Sequence, residues 1–139
     1  MSTAFLLDTN VLAEPLKPVP NPGVMRRLGQ SEGRMAIPAP VWHEMWFGCA
    51  RLAEGKRRGA IEAYLSDVLR RALPILAYSA RAAEWHAHER SRLAGRGQTP
   101  SFVDGQIASI AVENGLTLVT RNVSDFKAFR DLRVVDWST

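Results

Sequence analysis

The segment LLDTNVL, residues 6–12, decides the fold of this 139-residue chain. Its apolar start predicts a buried strand over residues 4–7, and the polar residues that follow predict the turn that ends this strand. Further strands are predicted at residues 34–37, 75–78, 116–119 and 134–135, with helical stretches between them. Because parallel neighbours need crossover connections, this alternation predicts an α/β fold with a mainly parallel central sheet of about four to five strands, flanked by helices.

Capping residues mark several predicted helix starts. Asn21 followed by Pro22 predicts an N-cap and a proline at the first helical position. Ser79 and Ser101 predict the N-caps of two later helices. Apolar residues at intervals of three and four predict a further amphipathic helix that begins near Val41.

The composition limits the class of protein. Hydrophobic residues make up 46% of the chain, enough for the core of a single domain over residues 1–139. The longest strictly apolar run, residues 35–42, is shorter than the roughly 20 residues that span a bilayer, and the start lacks the basic region of a secretory signal, so a cytoplasmic protein is expected. Cys49 is the only cysteine, which excludes an intrachain disulfide. The net charge of +4 favours polyanionic partners.

Acidic residues recur where the predicted parallel strands end. In open α/β sheets the carboxyl edge of the strands hosts ligands, and the following helices begin at the same edge. Asp8 ends the first strand, Glu44 and Asp104 lie near the starts of two helices, and residues 120–122 end a later strand. We therefore expect these residues to converge in space.

Each acid also has a structural explanation. Asp8 can cap the turn after its strand, and Asp104 follows Ser101 at the spacing of a capping box. Glu44 is harder to explain in this way, because it lies among large apolar residues where partial burial of a carboxylate is costly. A bound cation would explain all three acids together, because clustered carboxylates repel one another and a cation removes this repulsion. Oxygen ligands favour Mg²⁺ or Mn²⁺ over zinc.

Four segments of the chain resemble the motifs of the PIN domain family. In chain order they are LLDTNVL at residues 6–12, Glu44 with Gly48, Asp104 with Ile107 and Ala108, and residues 119–122 with Asp125 and Phe126. The resemblance covers nearly the whole chain, from Leu6 to Trp137. The length and the motif spacing are similar to those of the VapC-type and FitB-like toxins of bacterial toxin-antitoxin pairs.

The resemblance implies a Mg²⁺- or Mn²⁺-dependent endoribonuclease in which Asp8, Glu44 and Asp104 hold the metal. Many relatives have Asp at the position of Asn122, which leaves the fourth acidic position open between Asn122, as a neutral ligand or water-positioning residue, and Asp125. Glu44 or Asp104 would orient the attacking water or accept its proton. Thr120 would donate its hydroxyl to a water or a phosphate oxygen.

Basic residues are expected around an acidic site that binds RNA, because they offset the repulsion of phosphate. Arg121 adjoins Asn122, while Arg92 and Arg96 lead through a Gly-Arg-Gly loop toward Asp104, so these three arginines are candidate substrate contacts. The alternative is an ordinary solvated helix end. The resemblance also implies a homodimer, a cognate antitoxin whose C-terminal segment covers the acidic groove, and operator DNA binding only through that antitoxin.

Other hypotheses remain open. A PIN nuclease could act on structured DNA or in RNA maturation outside a toxin system, and a catalytically silent RNA- or protein-binding scaffold would retain the acids without using them. A phosphoacceptor receiver domain fits poorly, because it needs an acidic pair at the end of the first strand, where Leu7 precedes Asp8. His86 and His88 point in different directions on a helix, so they are not expected to share a metal, and both are predicted to lie at the surface.

Overall fold

Five parallel strands form the central sheet of the computed structural model, which describes residues 2–139; Met1, the first residue of the predicted domain, lies outside them. The strands are β1 (Phe5–Leu7), β2 (Met35–Pro38), β3 (Ile75–Leu76), β4 (Thr117–Val119) and β5 (Val134–Val135). Their order across the sheet is β3-β2-β1-β4-β5, and every neighbouring pair is parallel. The predicted α/β fold with a parallel sheet flanked by helices is confirmed.

Strand β1 lies at the centre of the sheet. Leu6 is paired with Ala36 of β2 on one side and with Leu118 of β4 on the other, and Leu6 and Leu7 are fully buried. The chain builds the sheet outward from β1 in both directions, so the end of β1 is the point where the strand order reverses. Open α/β sheets bind ligands at this point. Asp8 follows it directly.

Helices connect successive strands. Between β1 and β2 lie α1 (Thr9–Leu12), a 3₁₀ turn (Glu14–Leu16) and α2 (Pro22–Gln30). Between β2 and β3 lie α3 (Ala39–Ala50) and a longer helical segment made of α4 (Lys56–Ala63), a π-helical stretch (Tyr64–Leu69) and α5 (Arg70–Ala72). Helices α6 (Ala80–Ala94) and α7 (Phe102–Glu113) lead to β4, and a 3₁₀ turn (Val123–Asp125) precedes β5. Within residues 2–139, no helix is long and apolar enough to cross a membrane.

The three predicted N-caps are confirmed. The Asn21 side-chain oxygen accepts a hydrogen bond from Val24 N–H at 3.0 Å. The hydroxyls of Ser79 and Ser101 each accept one, at 3.1 Å, from the backbone N–H three residues later. Each cap satisfies a first-turn N–H that has no partner inside its helix. The cap at Ser101 also fixes the start of α7, and therefore the position of Asp104.

Strands β1, β2 and β4 differ from the sequence prediction by one residue at one or both ends, and two further differences affect residues near the site. Helix α3 begins at Ala39 rather than near Val41, because Pro40 is tolerated in a first turn whose N–H groups lack intrahelical partners. Glu44 consequently lies in the second turn of α3. Strand β3 ends at Leu76 rather than at Tyr78, so Tyr78 lies in the segment between β3 and α6.

The hydrophobic core holds the sheet and the acid-bearing helices together. Leu7 and Ile37 of the sheet are buried in one cluster with Val41 of α3 and with Ile107 and Ile110 of α7. Helices α3 and α7 also contact each other. Because both helices are anchored on the same core, their N-terminal ends are held near the carboxyl edge of the sheet.

Candidate active site

Asp8 is held in place by two hydrogen bonds. Its Oδ1 accepts a bond from Thr9 N–H at 2.8 Å, which caps α1, and its Oδ2 accepts a bond from the Thr120 hydroxyl at 2.8 Å. The side chain is therefore both a cap, as its structural explanation predicted, and a carboxylate with a fixed orientation. Burial raises the pKa of Asp8, and the charge of Asp125 raises it further, whereas the Thr120 and Thr9 hydrogen bonds oppose this rise.

Thr120 is the centre of a small hydrogen-bond network at the end of β4. Its buried hydroxyl donates to Asp8 and accepts bonds from Asn122 N–H at 3.0 Å and from the Asn10 amide at 3.4 Å. The Asn10 side-chain oxygen in turn accepts a bond from Arg121 N–H at 3.2 Å. The network ties the loop after β1 to the loop after β4. Asn10 is a site residue that sequence reasoning did not single out, although it lies within the opening motif.

Asp104 lies in the first turn of α7, where Ser101 caps the helix. Burial is the largest cause that raises the pKa of Asp104, and the negative charges of Asp8 and Asp125 raise it further, while hydrogen bonding to Ser101 opposes the rise. These couplings place three carboxylates, on the segments after β1, at the start of α7 and after β4, within electrostatic range of one another.

The charges of these carboxylates are not balanced by ion pairs within residues 2–139. Among the ion pairs formed by residues 2–139, none involves Asp8, Asp104 or Asp125. Oxygen-only donors with unbalanced negative charge suit a hard divalent cation such as Mg²⁺ or Mn²⁺. In the described part of the chain, however, no three Asp, Glu, His or Cys side chains lie close enough together to hold one ion. The charges therefore fit a cation, and its ligands would have to draw together on binding.

Glu44 does not have the environment expected from the sequence. Its side chain is 51% exposed, and His43 Nδ1 lies 3.9 Å from one of its carboxylate oxygens. The expectation of costly burial was wrong, because Glu44 lies on the exposed side of α3, whereas Met45 and Cys49 of the same helix are buried in the core. Glu44 instead lines a cleft between α3 and α7, together with Val103, the neighbour of Asp104.

The arginines predicted to contact RNA have different environments. Arg92 pairs with buried Glu89 through two guanidinium nitrogens and donates to the Ala128 carbonyl at 3.0 Å, and its side chain is only 18% exposed. We therefore correct its assignment to that of a structural clamp. Arg96 is exposed in the loop between α6 and α7. Arg121 keeps a partly exposed side chain, although its Nη1 lies 3.4 Å from a Glu14 oxygen.

Comparison with known proteins identifies the family of the chain. A model of the PIN domain family matches residues 5–132. The chain belongs to the PIN domain family. Among proteins similar to it are the tRNA(fMet)-specific endonuclease VapC of Shigella flexneri, 32% identical over 135 residues that cover 96% of this chain and 98% of the relative, and toxin FitB of Neisseria gonorrhoeae, 32% identical over 130 residues that cover 89% and 91%.

The structure of this PIN domain is also similar to a solved one. It matches a chain in the structure of FitAB bound to an IR36 DNA fragment with a TM-score of 0.87 and 29% identity, over 97% of this chain and 96% of that chain. The resemblance to VapC-type and FitB-like toxins that the sequence predicted is thereby confirmed.

Glu14 is a second residue of this PIN domain that sequence reasoning missed. It is buried, accepts a hydrogen bond from Asn21 N–H at 2.9 Å and pairs with Lys17 at 2.8 Å and with Arg121. These groups lower the pKa of Glu14, the Lys17 contact most strongly. Lys17 and Asn21 are local partners, but the contact with Arg121, which lies 107 residues away, could not be read from a local pattern.

His86 corrects another expectation for this PIN domain. It is 3% exposed rather than a surface residue, and its Nδ1 is hydrogen-bonded to the Tyr78 hydroxyl at 2.8 Å. Burial, followed by the charge of Arg90, lowers the pKa of His86. Its Nε2 packs against Gly105, the residue after Asp104. His86 therefore supports the turn of α7 that carries Asp104, while His88 is exposed as predicted.

Proposed function

We propose that this chain, with residues 1–139 forming one PIN domain, is a metal-dependent endoribonuclease and the toxin of a type II toxin-antitoxin pair. The observation that carries the proposal is the group of Asp8, Asp104 and Asp125 at the carboxyl edge of the sheet, which repel one another and form no ion pair within residues 2–139. The names of the similar proteins, an endonuclease and a toxin, support the same activity.

Asp8, Asp104, Glu44 and Asp125 are the residues that would hold Mg²⁺ or Mn²⁺. Burial partly withdraws Asp8 and Asp104 from water. Hydrogen bonds from Thr9 and Thr120 fix the Asp8 carboxylate, and the Ser101 cap fixes the backbone of Asp104, which suits both as the rigid part of the site. Glu44 is exposed, so its side chain is free to move toward them. When bound, a divalent cation neutralises charge on the scissile phosphate and lowers the pKa of a water.

The fourth acidic position is assigned to Asp125. Its charge acts on both Asp8 and Asp104, whereas Asn122 is engaged through its backbone N–H with Thr120. Asn122 would then place a neutral amide at the rim of the site, to orient a water or a phosphate oxygen. Thr120 keeps Asp8 in its orientation, because its only hydrogen-bonding proton is already donated to Asp8.

The remaining chain residues orient the substrate and move the proton. Glu44, whose carboxylate is exposed to solvent, is suited to accept a proton from the attacking water, with Asp104 as the other candidate. Arg96 and Arg121 would contact phosphates on either side of the cleaved bond, where positive charge offsets the acidic site. Arg92 is left out of this role because Glu89 and Ala128 occupy its guanidinium.

The partners follow from the toxin assignment. We propose a homodimer in the cytoplasm, inhibited by a cognate antitoxin whose C-terminal segment covers the acidic groove. Operator DNA would be bound through the antitoxin and not by this chain alone. The similarity to a chain of the DNA-bound FitAB assembly supports this arrangement.

Cleavage of a mixed RNA pool by the purified protein tests the proposal. Wild type is assayed with Mg²⁺, Mn²⁺ or EDTA, beside Asp8→Asn and Asp104→Asn. Asp67→Asn, at an exposed acid of the π-helical stretch, is the matched control. Cleavage that needs metal, that both active-site variants lose and that the control retains is the expected result. Equal behaviour of wild type and both folded variants on every RNA would overturn it, and cleavage of structured DNA alone would replace the substrate class.

A further inference from the structure

A cleft of about 330 Å³ opens between α3 and α7, directly beside the proposed metal site. Glu44 lines it from α3, and Val103, the neighbour of Asp104, lines it from α7. It therefore borders the place where the scissile phosphate would lie. Its other walls are formed by Ala39, Pro40, His43, Tyr78 and Gln106.

We infer that this cleft binds one nucleobase of a single-stranded RNA, in the nucleotide next to the cleaved bond. The inference rests on the proposed nuclease function and adds to it a recognition subsite. A phosphodiester held by Asp8 and Asp104 leaves the adjoining nucleotide at the mouth of the cleft, because nucleoside and phosphate are covalently joined. The volume lies at the low end of the range for small-molecule sites, as suits one base.

Gln106 supplies the group that reads the base. Its half-buried side chain lines the cleft, and within residues 2–139 no hydrogen bond engages its carboxamide. A carboxamide offers both donors and an acceptor, so it can pair with the polar edge of a base in two places at once. RNA-binding proteins recognise unpaired bases in this way, by hydrogen bonds to their edges and contacts with their faces.

Tyr78 and Val103 supply surfaces for the face of the base. The Tyr78 hydroxyl is bonded to the Nδ1 of buried His86, so the ring is fixed in position before any ligand binds. Val103 is 40% exposed, so its side chain is accessible to a ligand in the cleft. An aromatic ring and an aliphatic side chain bind any of the four bases by contact, while the carboxamide distinguishes among them.

Positive charge lies at the edge of this surface. The Arg90 guanidinium lies 5.4 Å from the centre of the exposed Phe102 ring, which in turn packs against Tyr78 with ring centres 6.4 Å apart. A cation stacked on an aromatic ring is a favourable arrangement for a further phosphate or base of the same strand. The features on this side of α7 therefore suit a nucleic-acid chain that continues past the acidic site.

Gln106→Met tests the inference, because methionine keeps the length of the side chain and removes its hydrogen bonds. Gln30→Met, at an exposed glutamine of α2, is the matched control. Wild type, variant and control cleave a randomised single-stranded RNA pool, and the sequences around the cut bonds are counted. Wild type and control are expected to share a base preference at one position beside the cut. Gln106→Met should lose it, with kcat/KM on the preferred base lower by about 5- to 100-fold.

Val103→Ala gives a second readout. Removing apolar surface should raise KM several-fold for all four bases alike and preserve the preference, in contrast to the Gln106 variant. An unchanged cleavage profile of Gln106→Met, in a wild type that cuts RNA, would overturn the nucleobase subsite while the nuclease function stands, and would leave the cleft to a protein partner.

Failure of the nuclease function is distinguished by binding without cleavage. If wild type cuts no RNA with either metal, the proposed function fails, and a fluorescent single-stranded RNA pool is titrated in EDTA. Binding that weakens in Gln106→Met but not in Gln30→Met would then support the cleft as an RNA site independently. Equal binding by all three proteins would overturn it as well.

Discussion

Thr120 Oγ1 donates a 2.8 Å hydrogen bond to Asp8 Oδ2, although 112 residues separate the two in sequence. The bond joins the end of the central strand β1 to the end of its neighbour β4, and the same hydroxyl accepts the Asn122 N–H. Both groups are buried. The orientation of Asp8, the first of the acids proposed to bind the metal, is therefore set by a residue of the closing motif.

Replacing Thr120 with valine should separate this hydroxyl from the shape of the side chain. Thr120→Val leaves Asp8 Oδ2 and Asn122 N–H without their partner, which should lower the free energy of unfolding by about 1–3 kcal/mol. RNA cleavage should fall about tenfold or more, because Asp8 loses its orientation. Thr120→Ser restores the hydroxyl and should remain within about threefold of wild type. Urea unfolding and kcat/KM measure the two effects, and equal activity of the valine and serine variants would contradict this role.

Much of this architecture was predictable because it depends on local patterns. The strand before Asp8, the caps at Asn21, Ser79 and Ser101, and the parallel sheet all follow from short-range chemistry and crossover geometry. The convergence of Asp8 and Asp104 follows from the same geometry, since both lie at the carboxyl edge.

The rest depends on contacts between distant residues. Arg92 was predicted at the substrate because it is basic and near a loop, yet its role is set by Glu89 and the Ala128 carbonyl. The burial of His86 follows from Gly105, whose missing side chain admits the imidazole. A single sequence shows which residue types are present, but it does not show which distant residues are in contact.

The burial of the acids and the repulsion among them predict that removing one charge stabilises the metal-free protein. Burial raises the pKa of Asp8 and of Asp104, so the folded state holds protons that the unfolded chain releases. The folded chain is therefore most stable below the pKa that these carboxyl groups have in the unfolded chain. It loses this stability as the pH rises through their higher pKa in the folded chain. Asp104→Asn remains uncharged at pH 7 and should keep this stability.

Thermal unfolding in EDTA measures this effect. The melting temperature of Asp104→Asn should exceed that of wild type by a few degrees at pH 7, and the two should converge near pH 3, where the carboxyl groups are protonated in both states. Mg²⁺ should then raise the melting temperature of wild type and not of the variant, because ligand binding stabilises only a chain that binds it. A less stable Asp104→Asn at pH 7, with Asp67→Asn unchanged, would rule out this repulsion as a cost of the site.

The contact between His86 and Gly105 predicts an unusual response to alanine. Alanine normally stabilises the interior of a helix by up to about 1 kcal/mol relative to glycine. A Cβ at Gly105 would overlap the His86 imidazole, so Gly105→Ala should instead destabilise by about 1–3 kcal/mol. Gly29→Ala, where nothing lies near the added atom, is the control and should be neutral or stabilising.

A double-mutant cycle tests whether the destabilisation by Gly105→Ala comes from the overlap with His86. His86→Ala opens space beside α7, so His86→Ala with Gly105→Ala should be more stable than the sum of the two single changes predicts. Chemical unfolding of wild type, the two single variants and the double variant gives the coupling free energy between the two positions. Additive effects would mean that Gly105→Ala acts through the backbone of α7 and not through the imidazole.

The ion pair between Glu89 and Arg92 should stabilise the folded chain to an extent that depends on pH. The Arg92 hydrogen bonds are the largest cause that lowers the pKa of Glu89, and the Arg130 N–H at 2.7 Å lowers it further, against the opposing effect of burial. Because the pKa of Glu89 is lower in the folded chain, the ion pair stabilises the fold at pH values above the pKa of Glu89 in the unfolded chain. This stabilisation is lost as the pH falls through the pKa of Glu89 in the folded chain. Glu89→Gln should lower the melting temperature by about 3–8 °C at pH 7, and the difference should shrink below pH 4. Glu84→Gln, exposed on the same helix, should match wild type throughout, and an equal loss for Glu89→Gln at pH 7 and pH 3 would assign the effect to packing instead of charge.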